Sequence, residues 1–172
     1  MTGFDLLASL TKGAGKSRFR LWMLNVLLGQ VVPFNRPHRF KIIEIDDTLV
    51  RTTAPYRRSN YNHIRGIHAC ALATVSEFSA GFLLMQNFAP ADYRLIMSRM
   101  DIEYKYQAKK RVISESRLSR EEIELDILKP LETAPSVDIK MRSDVVDDSG
   151  NLVAVAHTFW QIKRWDKVQT RL

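Results

Sequence analysis

The stretch GIHACALATVSEFSAGFLLMQN, at residues 66–87, decides the fold of this 172-residue chain. It lacks proline and is apolar on almost every side, a pattern that predicts a helix buried in a core. Glu77, in the middle of the run, is the only Asp, Glu, Lys or Arg between Arg65 and Asp92. Gly66 permits a tight turn directly before the helix. A helix of this kind has to be covered on several sides by the rest of the chain.

Predicted strands lie on both sides of the helix in the sequence. Before it, residues 39–45 and 48–54 are rich in β-formers and predict a hairpin whose turn contains two aspartates. After it, residues 96–107 alternate apolar and polar side chains, which is the clearest strand pattern in the chain. Residues 112–118 are predicted to be the hairpin partner of that strand.

The C-terminal part predicts one short helix and a final hairpin. Ser119 and Glu122 have the spacing of a capping box, so residues 120–131 predict a helix, although apolar residues also alternate there as in a strand. Residues 137–145 and 152–163 then predict two strands joined by a polar turn that contains a glycine.

The N-terminal part is strongly basic and predicts a further helix. Its first 43 residues contain a single acidic residue, Asp5, beside seven cations. The apolar run at residues 21–28 is interrupted by Asn25 and no A-x-A cleavage pattern follows it, which argues against a secretory signal. It is also shorter than a membrane span. We expect this helix to dock on the domain, in preference to lying on a membrane surface. The cations are Lys12, Lys16, Arg18, Arg20, Arg36, Arg39 and Lys41.

One antiparallel sheet that curls around the apolar helix is the most economical arrangement of these elements. A second copy of the chain or the N-terminal helices would then cover the outer face of the sheet. The sequence therefore predicts an α+β hot-dog fold. We expect residues 1–36 to form an N-terminal helical extension and residues 37–172 to form the hot-dog domain.

Composition is that of an ordinary packed protein with a basic surface. The hydrophobic share is 45% and the charged share 26%, close to the globular average. A lone cysteine, Cys70, gives no internal disulfide, so we expect a cytoplasmic location. The formal net charge of +7 would attract coenzyme A, nucleic acid or an acidic membrane face, and charge alone does not choose among them.

The predicted helix start can bind negative charge. The N–H groups near His68, Ala69 and Cys70 lack acceptors within the helix, and the aligned peptide dipoles add to their effect. A thioester carbonyl placed there would be polarised and its oxyanion stabilised, which is worth about 3 to 4 kcal/mol per donor in known oxyanion holes.

Glu77 is the strongest candidate for a catalytic carboxylate. Burial among small apolar neighbours would raise its pKa and suit it to general-base work, whereas a surface ion pair with a basic residue is the structural alternative. Nine residues separate it from His68, about 13 Å of helical rise, so one chain does not bring both groups to one substrate. We therefore expect a homodimer, or a tetramer built from it, with two equivalent sites.

The segment resembles hot-dog thioesterases of the PaaI-like type, and especially the related DUF4442 group. In PaaI-like enzymes an Asn precedes a His-Gly-Gly helix start by six residues and an acidic residue follows that His by nine. Asn62, His68 and Glu77 keep both intervals. The N-terminal helical segment, which contains Pro33, Phe34 and Asn35, looks like the extension seen in the DUF4442 group. Two glycines of the enzymes are replaced here by the Ala-Cys pair at residues 69–70.

The resemblance implies an acyl-CoA thioesterase that needs no cofactor beyond the coenzyme A of its substrate. Glu77 would activate water or attack the acyl carbon, and the N–H of Ala69 or Cys70 would bind the thioester oxygen. Asn62 would orient water or the acyl group, although its residue type alone favours a turn cap. His68 would help to shape the helix start.

The remaining candidates are cations and one thiol. Six basic residues are expected to hold the phosphates of coenzyme A, with a solvated surface as the equal alternative. Cys70 is expected to be a small buried residue more than an activated thiolate. No metal site and no nucleic-acid partner are expected, and a non-catalytic acyl-CoA or fatty-acid binder is the alternative function. The six cations are Arg57, Arg58, Arg65, Lys109, Lys110 and Arg111.

Overall fold

A six-stranded antiparallel sheet wraps around one long helix in the computed structural model of the protein, which describes residues 10–11 and 13–168. The spatial order of the strands is β1-β2-β4-β5-β6-β3. The strands are β1 Lys41–Asp46, β2 Leu49–Ala54, β3 Tyr93–Tyr104, β4 Val112–Arg117, β5 Val137–Asp147 and β6 Leu152–Arg164. The helices are α1 Arg18–Val31, α2 Asn35–His38, α3 Ala69–Asn87, α4 Arg120–Glu122 and α5 Lys129–Leu131, with a π-helical stretch Ile123–Leu128 between the last two. This is the predicted hot-dog fold.

The 19-residue helix α3 is the centre of the core. Val75, Leu83 and Leu84 are fully buried against the sheet. The helix is long and apolar enough to cross a membrane, but 56% of its most apolar window is buried inside the protein. Because the core helix of a soluble protein passes the same test, its length and composition are explained by the sheet that covers it.

Buried hydroxyl groups connect α3 to the middle of the sheet. The hydroxyls of Ser143 and Ser79 both donate to the carbonyl oxygen of Ser76, at 3.1 and 3.0 Å. The Ser116 hydroxyl lies 2.7 Å from Ser143 Oγ and 2.8 Å from Ser79 Oγ, and the Ser114 hydroxyl lies 2.9 Å from Ser79 Oγ. All five serines are fully buried. This chain of hydrogen bonds ends on the carbonyl group that directly precedes Glu77.

The predicted pairing of residues 112–118 with the strand before them is wrong. β4 pairs with β2 and β5, whereas β3 pairs along its length with β6, from Tyr93 opposite Arg164 to Tyr104 opposite Ala154. Alternation predicted the strands because it depends on which face is buried, and it contains no information on the partner. β3 is consequently an edge strand, and its outer edge has no partner within the described residues.

The helix predicted at residues 21–28 is α1, and it docks on the domain as expected. Leu24 and Leu28 are buried in the core. Asn25, which interrupts the apolar run, has its side-chain amide bonded to the backbone of the edge strand β1. Its Nδ2 donates to the Ile42 carbonyl oxygen and its Oδ1 accepts from the Ile42 N–H, both at 2.8 Å. The division between extension and domain at residues 36 and 37 stays a prediction, and α2 crosses it.

The helix predicted at residues 120–131 is confirmed in α4, the π-helical stretch and α5. Ser119 and Glu122 form the predicted capping box, since each side chain accepts from the backbone N–H of the other residue. The strands predicted at residues 137–145 and 152–163 are β5 and β6. Their turn contains Gly150, whose φ of 81° is left-handed and suits glycine.

Candidate active site

The start of α3 presents one free backbone donor. His68 is the N-cap residue, and its ring Nδ1 accepts a hydrogen bond from the Cys70 N–H at 3.0 Å. The N–H of His68 itself donates to the Asn60 carbonyl oxygen at 2.8 Å. The N–H of Ala69 has no acceptor among the described residues. Of the three donors considered from the sequence, Ala69 is therefore the one available to a ligand.

Asn62 closes the loop that leads into the helix. Its side-chain Oδ1 accepts from the N–H groups of Ile64 at 3.1 Å and Gly66 at 2.8 Å. The left-handed residue of this turn is Arg65, with a φ of 59°, and not Gly66. Gly66 is needed for a close approach instead, because a Cβ atom there would stand 2.7 Å from Gln107 Cγ. Its own backbone is buried by this contact.

Asn60 is a buried residue that connects the loop before the helix to other parts of the chain, and no pattern in the sequence indicates this role. Its side chain is 1% exposed, and its Nδ2 donates to the carbonyl oxygens of His38 and Pro55. Its Oδ1 lies 2.9 Å from His38 Nδ1. An Asn in a polar loop gives no sequence signal of burial, since the groups it bonds come from elsewhere in the chain.

Glu77 is partly buried and has no hydrogen-bond or ion-pair partner among the described residues. Burial desolvates its carboxylate and raises its pKa, as the sequence predicted. Its carboxylate lies beside Gly81 and the indole ring of Trp160. The alternative of a surface ion pair is not what this geometry shows.

One stripe of α3 is left uncovered by the chain's own sheet, and Glu77 lies on it. Cys70 is exposed, while Thr74, Glu77 and Gly81 are only partly buried, at spacings of four and three residues that place them on one face. The helical rise between Ala69 and Glu77 is about 12 Å, so a single chain does not bring the free amide and the carboxylate together. Cys70 is exposed in contrast to the expectation of burial, because it belongs to this stripe.

A cavity of about 260 Å³ opens beside the helix start. The N-terminal extension contributes Phe34 to its wall, which the sequence did not predict. The His38 ring stacks on Phe40, with 5.2 Å between ring centroids, and contacts the tilted ring of Phe34 at 5.3 Å. The lining residues are Phe34, His38, Phe40, Ser59, Asn60, Tyr61, His68, Cys70, Ala71 and Thr74.

Tyr104, at the end of β3, reaches the same helix start. Its hydroxyl donates to the Ala69 carbonyl oxygen at 3.4 Å. Desolvation and the neighbouring Cys70 raise the pKa of this phenol. Its side chain is 49% exposed and that of Tyr106 is 53% exposed, so neither belongs to the core of the chain.

The six candidate phosphate-binding cations fall into two groups. Lys110 donates to Ser149, and Arg111 forms an ion pair with Asp148 at 2.8 Å. The side chains of the other four form no hydrogen bond or ion pair among the described residues. Arg65 and Lys109 lie on neighbouring loops, since the N–H of Ile67 donates to the Ala108 carbonyl oxygen at 2.8 Å. The four cations without a side-chain partner in the described residues are Arg57, Arg58, Arg65 and Lys109.

No group of three or more His, Cys, Asp or Glu side chains could hold a metal ion in the part of the chain that the structure describes.

The sequence profile of the family described as a domain of unknown function, DUF4442, matches residues 20–162. The chain belongs to the DUF4442 family. The resemblance to the DUF4442 group is thereby confirmed. No curated protein matches the sequence of this DUF4442 protein.

Solved structures that are similar to this DUF4442 protein show the same fold. A protein of unknown function from Pseudomonas aeruginosa, described as a probable thioesterase, is 23% identical with a TM-score of 0.74, over 80% of this chain and 91% of that one. A mutant of a thioesterase enzyme from Staphylococcus aureus is 14% identical with a TM-score of 0.62, over 76% and 98%. A thioesterase from Haemophilus influenzae is 10% identical with a TM-score of 0.65, over 84% and 90%.

Proposed function

We propose that this protein is an acyl-CoA thioesterase, which hydrolyses a thioester to a carboxylic acid and free coenzyme A. The observation that carries the proposal is the partly buried carboxylate of Glu77, which has no hydrogen-bond or ion-pair partner among the described residues. It lies on the uncovered stripe of the helix whose start presents the free Ala69 amide. Thioesterases among the structures with the same fold support this reaction class.

The site we propose is shared between two protomers. A 12-residue edge strand whose outer edge has no partner in residues 10–11 and 13–168 favours pairing with another strand, and β3 also exposes Ile96 and Met97. Pairing of β3 with β3 of a second copy would extend the sheet and bring the two α3 helices together. Glu77 of the partner subunit would then face the Ala69 amide of the first, and twofold symmetry would repeat the site.

The proposed reaction uses the two groups in turn. Glu77 takes a proton from a water molecule as the water oxygen attacks the thioester carbon. The carbonyl electron pair moves to the oxygen, and the Ala69 N–H donates to that oxyanion. When the intermediate collapses, the carbon–sulfur bond breaks, and the thiolate of coenzyme A leaves and takes the proton from Glu77. The raised pKa of Glu77 favours this exchange near neutral pH.

Two further parts of the site support the choice of substrate. Arg57, Arg58, Arg65 and Lys109, whose side chains have no partner among the described residues, lie on or near the loops beside the helix start, where they are suited to the phosphates of coenzyme A. The cavity beside the helix start is lined mainly by apolar and aromatic side chains and would accept the acyl group.

A thiol-release assay on short, medium, long and aromatic acyl-CoAs tests the proposal. We expect hydrolysis of at least one class and a loss of kcat of at least about 100-fold in Glu77→Gln. Glu124→Gln is the matched control, because Glu124 is an exposed carboxylate on the π-helical stretch. Equal activity in the Glu77 and Glu124 variants would remove Glu77 from its role.

Ala69→Pro tests the proposed oxyanion donor without disturbing the helix. Ala69 is the first residue of α3, a position that favours proline, and its N–H bonds to nothing in the described residues. His68 has φ −65° and ψ 140°, which a following proline allows. We expect kcat to fall at least about 100-fold with little change in thermal stability.

A non-catalytic acyl-CoA binder is the second candidate. The side chains of Ala69 and Cys70 stand where similar enzymes have two glycines, and the Cys70 N–H is occupied by His68. Saturable binding of an acyl-CoA without release of thiol, and unaffected by Glu77→Gln, would favour this function over hydrolysis.

A further inference from the structure

The outer face of α1 is apolar although the helix lies on the surface. Phe19, Trp22 and Val26 are 66%, 60% and 45% exposed. They lie within about 60° of one another around the helix, opposite the buried Leu24 and Leu28. The rings of Phe19 and Trp22 stack at 5.9 Å. We call these three exposed side chains the aromatic face.

A basic cleft adjoins the aromatic face. It has a volume of about 250 Å³ and lies between α1 and the chain that leads into β1. Val26 belongs both to the aromatic face and to the wall of this cleft. The cations in the wall are Arg36, Arg39 and Lys41, all exposed and none with an acidic partner among the described residues.

The segment of sequence that contains α1 and the cations of the cleft carries charges of one sign. No acidic residue occurs from residue 13 to residue 43, whereas Lys16, Arg18 and Arg20 lie exposed at the beginning of α1. A helix with exposed aromatic residues on one face and flanking cations matches the interface of an anionic lipid bilayer, where rings enter the headgroup boundary and cations contact phosphates.

We propose that α1 docks this protein on anionic membrane surfaces, with the aromatic face inserted at the headgroup boundary and the basic cleft holding lipid phosphate groups. The buried side of α1 keeps the helix attached to the domain, so docking needs no unfolding. Phe34 lines the cavity at the helix start, so the candidate active site lies close to the docked segment. The proposal does not depend on thioesterase activity.

Co-sedimentation of the full chain with lipid vesicles tests the proposal. One set contains phosphatidylcholine alone and the other contains in addition about 30% phosphatidylglycerol, an anionic lipid. We expect binding to the anionic vesicles, little binding to the neutral ones, and weakening as salt is raised. Absence of binding to both sets, or equal binding to both, would overturn the proposal.

Matched variants assign the binding to α1. The double variant Phe19→Gln/Trp22→Gln is expected to bind anionic vesicles at least about tenfold more weakly, whereas Leu125→Gln, which changes a side chain 49% exposed on another helix, leaves binding unchanged. Because all three residues are exposed, circular dichroism should show a folded protein in each case. Unchanged vesicle binding in the double variant would refute the role of the aromatic face.

The charge contribution and the main competing occupant are tested separately. Arg36→Ala/Lys41→Ala is expected to reduce the preference for anionic vesicles, and Lys129→Ala, on α5, is the control for loss of an exposed cation. Size-exclusion chromatography compares the double aromatic variant with the unmodified chain. A smaller assembly in that variant would show that a second copy covers the aromatic face, and would overturn the proposal.

Discussion

The Glu77 carboxylate lies against Gly81, one turn further along α3: a Cβ atom at residue 81 would stand 3.1 Å from Glu77 Oε1 and 2.8 Å from Trp160 Cη2. The indole ring is only 7% exposed and is bonded through its Nε1 to Thr158 at 2.8 Å. The buried ring cannot easily give way, whereas the carboxylate is the end of a flexible side chain and can be displaced. The absence of a side chain at residue 81 therefore makes room for the carboxylate and the ring together.

We expect Gly81→Ala to lower both stability and thioesterase activity. Alanine is favoured over glycine in a helix by about 1 kcal/mol, and the contact with Trp160 should outweigh that gain and displace the carboxylate. Gly29→Ala is the matched control, because Gly29 lies within α1 and a Cβ there meets nothing within 4 Å. Thermal unfolding should show Gly29→Ala more stable by about 0.5 to 1 kcal/mol, and an equal gain in Gly81→Ala would contradict the packing described.

Glu77→Gln should stabilise the protein at neutral and alkaline pH. A carboxyl group whose pKa is raised by burial favours the folded state when protonated, and this contribution is lost as pH rises through the raised pKa. The glutamine side chain of the variant does not ionise, so its stability does not fall in this way. The difference in melting temperature between the variant and the unmodified protein should therefore disappear below the ordinary glutamate pKa of 4.5. A variant that is less stable throughout the pH range would indicate that Glu77 has a stabilising partner.

Ionisation of Glu77 should also govern activity, but kcat should depend on pH in the opposite direction to stability. The general base has to be ionised, so kcat should rise with pH through the raised pKa of Glu77 while stability declines. The pH profile of thiol release, measured on the unmodified enzyme, checks this relationship.

Loss of cations beside the helix start should weaken binding of the coenzyme A part of the substrate. Arg58→Ala/Lys109→Ala is expected to raise KM for acyl-CoA several-fold, with little effect on a thioester of N-acetylcysteamine, which has no phosphate groups. Arg142→Ala is a control, because Arg142 is an exposed arginine on β5 that bonds to Asp144. Equal effects of the double variant on both substrates would mean that these cations do not bind phosphate.

Removal of one buried hydroxyl should cost more than removal of an exposed one. Ser116→Ala leaves the hydroxyls of Ser79 and Ser143 short of a partner in a buried site, which costs about 1 to 3 kcal/mol. Ser59→Ala removes an exposed hydroxyl that bonds to the Pro37 carbonyl oxygen and should cost less than about 1 kcal/mol. Denaturant unfolding of the two variants compares these costs.

The sequence predicted the parts of this fold that depend on local patterns. The apolar run at residues 66–87 became α3, the alternating run became β3, and Ser119 with Glu122 formed the capping box. The spacing of apolar residues along an element indicates which of its faces is buried, and this spacing can be read from the sequence of the element alone. The partner of β4 was wrongly predicted because pairing is decided by the path of the chain around α3.

Site residues whose role depends on distant contacts were the hardest to foresee. Asn25 interrupts an apolar run, and only the neighbouring β1 explains why its amide is there. Asn60 and His38 meet across 22 positions of sequence. Glu77 was identified because it is a lone charge in an apolar helix, which is a local signal. The roles proposed for Asn62, Ala69 and the cations stay predictions.

Complementation between two inactive variants is the most direct measurement of a shared site. Glu77→Gln keeps the Ala69 amide, and Ala69→Pro keeps the Glu77 carboxylate, so a mixed dimer would contain one complete site and one that lacks both groups. Mixing the two after joint unfolding and refolding should restore thiol release to about a quarter of that of the unmodified enzyme, since about half of randomly formed dimers are mixed. Activity that stays at the level of the separate variants would contradict a site built from Glu77 of one protomer and the helix start of the other.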